Sequence, residues 1–424
     1  EIVFDVILKN RKPRNLLLIF EILSILLLFS YNNNNVDRYI VILFVGLILI
    51  VYISNLVLGK VSSGDNYIFL IVSMLLSLGI ITIYRLSPKL GLRQLIWVLA
   101  GILVFYLTYF AIRAMRRLEY MTGLYLGLSI IFFIITLIFA PDKYGSKNWI
   151  ELSEGVTIQL SEFTKILIIF LIASFYTTFQ TRLKKLNYKH TSYYLMAVIY
   201  IFVGFLFIQR DLGTAVIFVA IYTLIQYVYD EDRTSLLVNI GLMLIGGVAG
   251  YFLFSHVRNR VDIWLNPWTA DKVINSARQI VQSLFGIGEG GFFGQGIGLG
   301  YPKQITLAHS DVIFSAICEE MGILTGIGII MLYMLLVYRA IKIALNQEYL
   351  FYRILALSVA ILFTVQVFLN VGGVIKLIPM TGLTLPFVSY GGSSMISSFI
   401  ALGILQVTSE DLSYKYDRGI DNEE

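Results

Sequence analysis

Twelve apolar runs, each about 16–25 residues and so long enough to cross a bilayer core as one helix, punctuate this 424-residue chain. They fall near 15–30, 39–59, 67–84, 94–112, 121–140, 162–180, 192–208, 212–229, 235–254, 312–338, 352–370 and 392–408. A backbone in hydrocarbon must satisfy its own N–H and C=O groups, which leaves only helices and closed barrels. A barrel would show many short alternating strands, and the chain shows long continuous runs instead. With 58% apolar and 14% charged residues, against roughly 25% charged in a soluble domain, a soluble fold is excluded. Disorder, which needs low hydrophobicity and high charge, is excluded too. The expected fold is all-α, a polytopic integral membrane bundle with one large loop.

An even number of spans puts both termini on one side of the membrane, and the positive-inside rule chooses which. With cytoplasmic termini, the inner segments hold 18 Lys and Arg and the outer segments 14, five of them in the single loop 255–311. Cytoplasmic termini are therefore expected. The first run follows Lys9-Asn10-Arg11-Lys12-Pro13-Arg14 and meets no small-residue cleavage site, so it reads as a retained helix rather than a leader. The net charge of +5 reflects this topology and implies no nucleic acid. The lone Cys318 makes no internal disulfide or metal cluster, and His190, His256 and His309 are scattered.

The cations that break the rule are informative. Arg85, Lys89, Arg93, Lys147, Lys165, Arg210, Arg258 and Arg260 all fall on the expected outer face. They suit an anionic group such as a diphosphate, or simply lipid headgroups. The outer loop carries a glycine-rich stretch from Gly286 to Gly300. It lacks the Gly-Lys-Ser/Thr of a phosphate loop and follows no strand. It is either a folded cover over a site or a flexible connector.

Polar groups enter the spans from that same face. Asp311 stands where the tenth span begins, as an N-cap or as a functional carboxylate. Within the span come Glu319 and Glu320, costly in a membrane unless they face a polar interior. At 100° per residue Glu319 lies about 80° from Asp311 and roughly 12 Å deeper, with Glu320 nearly opposite and free to pair with a neighbouring helix. Gln159, Ser161, Glu162 and Lys165 open the sixth span, and Glu162 and Lys165 are close enough in sequence to pair. Gln209-Arg210-Asp211 forms a tight turn. Asn370 and the broken segment 378–394, with Pro379, Pro386, Ser389, Gly391 and Gly392, interrupt the C-terminal spans. Four such clusters on one face predict a single membrane-embedded outer cavity.

Taken in order, these pieces resemble the SEDS family (shape, elongation, division and sporulation), represented by RodA, FtsW and SpoVE. The matching residues are Arg93-Gln94, Gly145-Ser146-Lys147-Asn148-Trp149-Ile150, Gln159-Leu160-Ser161-Glu162-Phe163-Thr164-Lys165, Gln209-Arg210-Asp211-Leu212-Gly213-Thr214 and Gln282-Ser283. They continue with His309-Ser310-Asp311-Val312-Ile313-Phe314, Glu319-Glu320-Met321-Gly322 and Leu385-Pro386-Phe387-Val388-Ser389-Tyr390-Gly391-Gly392-Ser393. The chain departs from the family at Asn148, where arginine is usual, and at Leu160 and Arg210, where proline is usual. The family commonly has ten spans, so residues 1–64 form an extension with two extra helices. Residues 65–410 form the family's membrane domain and 411–424 a cytoplasmic tail.

The resemblance implies a peptidoglycan glycosyltransferase acting on lipid II, in elongation, division or sporulation. It implies Asp311 as general base. Arg93, Lys147, Glu162, Lys165, Gln209, Asp211, His309 and Ser389 would bind substrate, and Trp149, Glu319, Glu320, Pro386, Gly391 and Gly392 would support the site. No cofactor is required, although a divalent cation, magnesium or manganese, is a candidate to share the diphosphate's charge. Membrane lipids surround the chain. Cross-linking would come from a class B penicillin-binding protein, a transpeptidase, together with other elongation or division proteins. The alternative of another class is a flippase or transporter of a lipid-linked cell-wall precursor.

Overall fold

The structure, a computed structural model, describes residues 13–31, 38–115, 117–141, 147–153, 156–188, 190–269, 272–273 and 275–411. The basic run at 9–12, Gly145-Ser146 and the tail beyond Asp411 lie outside the described residues. The apolar runs fold as α1 (Pro13–Tyr31), α2 (Arg38–Val61), α3 (Asn66–Leu86), α4 (Pro88–Ala114), α5 (Thr122–Phe139) and α6 (Leu160–Lys185). After a short turn come α7 (Ser192–Gln209), α8 (Leu212–Tyr229) and α9 (Arg233–Leu253). The long loop contains α10 (Ser255–Leu265) and α11 (Arg278–Gly290), and α12 (Ile313–Asn346), α13 (Leu350–Val374) and α14 (Gly392–Thr408) complete the chain. Among the described residues nine helices are long and apolar enough to cross a membrane, and α1, α2 and α14 each hold a shorter apolar stretch. All twelve runs read from the sequence are helices, and the chain is a multi-pass membrane protein.

Two features went unread in the sequence. Residues Ile150–Ser153 and Val156–Ile158 pair as a small antiparallel hairpin, β1 and β2, between α5 and α6. The loop 255–311 carries two helices, α10 and α11. Its α11 packs on α12, while α12 packs on α13 and α14 on α4.

The glycine stretch has a physical task. Helix α12 kinks at Gly322, whose φ of 82° and ψ of 165° break the helical ladder. Its orphaned backbone groups pair with the loop. Gln295 N donates to Glu319 O and Gly296 N to Glu320 O, while Ile323 N donates to Gly291 O and Leu324 N to Phe292 O. This close approach needs bare backbone, because a Cβ on Gly294 would lie 2.5 Å from the Gly322 nitrogen. The stretch is thus a folded patch on the kink of α12, not a connector.

Glu319 and Glu320 serve the same seam. Tyr301 N donates to Glu319 Oε1 at 2.6 Å, and Gly298 N to Glu320 Oε1 at 3.2 Å. Arg85, at the end of α3, pairs with Glu320 at 3.1 Å and donates to Gly298 O at 2.6 Å. Glu320 therefore does pair with a neighbouring helix. Glu319 faces the glycine loop, not the space below Asp311.

Candidate active site

The site is built where α6, α8, α13 and α14 present their ends on the face that carries the loop 255–311. Helix α6 opens with Gln159 as N-cap and Leu160 as its first residue. Proline suits that first position and leucine suits it too, since the N–H there has no helical partner to lose. One turn in, Glu162 and Lys165 meet at 2.7 Å. They are 3% and 1% exposed, so each charge depends on the other. Ser397 of α14 donates to Glu162 Oε2 at 2.8 Å, and Lys165 Nζ reaches Gln366 Oε1 of α13 at 3.5 Å.

From Gln366 the network continues along the broken segment. Gln366 Nε2 donates to Thr384 O at 3.1 Å. One helical turn further, Asn370 Nδ2 donates to Leu383 O at 2.6 Å and to Asp311 O at 2.8 Å. Ser389 Oγ donates to Ser310 O at 2.6 Å and receives Leu385 N, while Gln94 Nε2 donates to Ser389 O at 3.0 Å. Tyr390 N donates to His309 O at 2.8 Å, and the Tyr333 hydroxyl donates to Pro386 O. Gly392 sits against Trp97, where a Cβ would meet ring atoms. Irregular backbone is tolerated at membrane depth only when its polar groups are satisfied in this way.

Asp211 closes the network from the other side. It caps α8 by accepting Thr214 N, and its Oδ2 also accepts from Thr214 Oγ1, Ser161 Oγ and Gln159 Nε2 at 2.8–3.0 Å. The preceding Arg210 adopts φ 61°, a left-handed turn that proline's fixed φ forbids. Asn148, with its amide turned to pair, donates to Gln209 O at 2.6 Å. The Lys147 N–H also donates to Gln209 O, while the Gln209 side chain turns into the bundle toward Phe133 O. Lys147 and Arg93 remain exposed, and Trp149 is half-buried.

Asp311 is unlike these groups. Val312, not Asp311, stands at the N-cap of helix α12, so the carboxylate is not used as an N-cap. It lines a cavity of about 180 Å³ together with Arg260, Trp264, Gln279, Met380 and Gly382. Burial pushes its pKa up to about 6, against the Ser310 hydroxyl and the Arg260 charge, which both lower it. Arg260 projects from α10 and donates to Thr381 O at 2.8 Å and to Met380 O at 3.3 Å. A Cβ on Gly382 would stand 3.7 Å from Asp311 Oδ2 and 3.9 Å from Arg260 Nη2. The guanidinium and the carboxylate thus flank the same glycine, whose φ is 76°, and act on each other through their charges. Burial lowers Arg260's pKa, and Asp211 and Asp311 raise it. Burial also lowers the pKa of His309, whose ring packs edge-on against Tyr390.

Of the sequence-read residues, the structure joins Glu162, Lys165, Asp211, Ser389, His309 and Asp311 into one network. Arg93, Lys147 and Trp149 stand at its margin. Arg260 belongs to it as well, and the sequence showed it only as one of eight misplaced cations. Gln279 gave no signal at all. Among the described residues no group of three or more His, Cys, Asp or Glu could hold a metal, and the positive charge beside Asp311 is Arg260.

Comparison with known proteins agrees with this architecture. The family described as cell cycle protein, comprising FtsW, RodA and SpoVE, matches residues 66–414. The peptidoglycan glycosyltransferase RodA of Mycobacterium leprae is 31% identical over 360 residues, 80% of this chain and 77% of that protein. Stage V sporulation protein E of Bacillus subtilis is 32% identical over 366 residues, covering 82% and 97%. The rod shape determining protein RodA of Thermus thermophilus, in a mutant form, superposes with a TM-score of 0.61 at 25% identity, covering 82% of this chain and 97% of that one. A chain from a peptidoglycan synthase complex that coordinates polymerization and crosslinking superposes at 0.65 with 23% identity, covering 84% and 98%.

Proposed function

This chain belongs to the FtsW, RodA and SpoVE family of cell cycle proteins, and on that premise we propose that Asp311 is the general base of a lipid II polymerase. The enzyme is a peptidoglycan glycosyltransferase. The acceptor sugar's hydroxyl oxygen attacks the anomeric carbon of the donor. A glycosidic C–O bond forms there as the bond to the diphosphate oxygen breaks, and the electron pair leaves with the lipid diphosphate. The hydroxyl proton passes to the Asp311 carboxylate. One displacement inverts an α linkage to β and needs no covalent sugar–enzyme intermediate.

The observation that carries this reading is the Asp311 carboxylate itself. It caps no helix, lines a cavity, and has its pKa raised by burial toward the working range of a base. Arg260 beside it, with the exposed Arg93 and Lys147 at the margin, supplies positive charge for the leaving diphosphate. Lys165 is neutralised by Glu162, so its part is to hold α6 against α13 and α14 under the site. Purified protein given labelled lipid II should yield polymer on a gel without any other enzyme. Flipping of lipid II in vesicles with no polymer would overturn the assignment.

The chain's orientation belongs to the same proposal: both termini cytoplasmic and residues 255–311 outside. Single cysteines at Gln304 and Lys185, both exposed, in a Cys318→Ser background should label differently with an impermeant thiol reagent in intact cells. Gln304→Cys should label and Lys185→Cys should not. A class B penicillin-binding protein is the proposed cross-linking partner, supported by the likeness to a chain of a synthase complex.

A further inference from the structure

Helix α11 presents Gln279, Gln282, Ser283, Gly286 and Gly290 on one face, at the three- and four-residue spacing of a helical stripe. Gly290 packs against the Cys318 backbone and Gly286 against Ile305 and Glu319. Ser283 bonds the Ser315 hydroxyl at the start of α12. Gln282 Oε1 accepts Thr306 N at 3.0 Å and Thr306 Oγ1 at 2.8 Å, which fixes the loop leading into Asp311. The stripe's first member breaks the pattern. Gln279 Nε2 is buried and has no hydrogen-bond partner among the described residues. A buried donor without a partner needs a reason, such as an absent ligand.

That nitrogen belongs to a residue lining the same 180 Å³ cavity as Asp311. Trp264, Ile263, Ile280 and Ser276 line it as well, beside Arg260, Met380 and Gly382. Trp264 is held in place, since its Nε1 donates to Lys376 O at 3.1 Å. A fixed indole, an unspent amide donor, a hydroxyl and a carboxylate make a set of contacts suited to a pyranose, which offers one apolar C–H face and a rim of oxygens. The volume is small beside the roughly 300–1,000 Å³ of sites for larger ligands, so it fits one ring rather than a disaccharide.

We propose that this cavity is the subsite for the acceptor's terminal N-acetylated sugar ring, with Gln279 Nε2 donating to a ring substituent and Trp264 walling the C–H face. The assignment rests on Asp311 being the base, because the ring that occupies this cavity is the one whose hydroxyl meets that carboxylate. The acetamido carbonyl is the strongest neutral acceptor on such a ring and is the oxygen expected to face Gln279. The amide holds the ring before and during transfer alike. Its loss therefore weakens binding more than turnover.

The test is Gln279→Leu, which keeps much of the side chain's bulk and removes the amide. Lipid II polymerisation by the purified protein should show KM raised about tenfold, with kcat moving much less. The same substitution placed in Asp311→Asn protein in nanodiscs should weaken equilibrium binding of lipid II by a similar factor. The melting temperature should hold or rise, since a buried orphan donor has gone. Unchanged KM and unchanged lipid II binding, in protein that is folded and active, would overturn the subsite and leave a water-filled recess. If the unmodified protein makes no polymer at all, the glycosyltransferase reading fails instead, which is a separate outcome.

Discussion

Two carboxylates stand just beyond membrane helix ends on opposite faces of this molecule, and they are used in opposite ways. Glu410, after α14, is 5% exposed and heavily bonded through one oxygen. Its Oε1 accepts from Ser62 Oγ and Tyr109 Oη, both at 2.6 Å, and from Ser63 N at 3.2 Å, with Arg113 3.7 Å from Oε2. It ties the ends of α2, α4 and α14 together. Asp311 is half-buried, caps nothing and opens onto a cavity beside Arg260. A carboxylate that accepts three hydrogen bonds and faces a guanidinium is a fastener. One that is desolvated, with the Ser310 hydroxyl donating to it and a cavity before it, is positioned to take a proton.

The largest effect expected from this contrast is at Asp311. Asp311→Asn should lower lipid II polymerisation by about 10²–10⁴-fold, the range a positioned base supplies. Fold and lipid II binding should persist. Asparagine caps helices as well as aspartate does, so a purely capping role predicts full activity. A variant that polymerises at near the unmodified rate would remove the contrast.

The pH profile sharpens it. A base works ionised, so with a pKa near 6 the rate should be level above pH 7 and fall about tenfold per unit well below 6. Arg260's charge lowers that pKa, so Arg260→Gln should move the acid limb to higher pH. A limb unmoved in both proteins would show that another group titrates. The stability sign is opposite to the activity sign. Asp311 has a higher pKa folded than unfolded, so the native state holds its proton more tightly, and stability declines as pH rises from about 4 through 6. Asp311→Asn should therefore melt at the same or a higher temperature at pH 7.

How legible the two regions were differs for physical reasons. Bilayer thickness and backbone hydrogen bonding force long apolar runs, so all twelve helices showed in the sequence. Asp311, Glu162 and Lys165 showed because charged groups at the mouth of or inside an apolar span are costly unless they face a polar interior. Arg260 and Gln279 sit on helices of the loop 255–311, away from the apolar runs on which a bilayer imposes its pattern. Their importance comes from residues far along the chain: Arg260 bonds Thr381, and both line a cavity with Asp311. The α12 kink at Gly322 was equally hidden, since one glycine in an apolar run resembles any other until Gly294 is seen against it. The hairpin β1–β2 is too short for its alternation to register.

The smallest effect expected is at Glu410, and it is the control on which the contrast rests. Glu410→Gln keeps an oxygen for Ser62, Ser63 and Tyr109 and loses the charge that faces Arg113. It also turns an amide donor toward that guanidinium. The loss should be about 1 kcal/mol, the scale of one hydrogen bond to a buried group, and should appear as a melting temperature lowered by a few degrees or less. Polymerisation per folded molecule should stay within about twofold, because no atom of this network reaches the opposite face. An activity loss approaching that of Asp311→Asn, in protein that remains folded, would mean that the two faces are coupled. The count of hydrogen bonds alone would then no longer separate a fastener from a base.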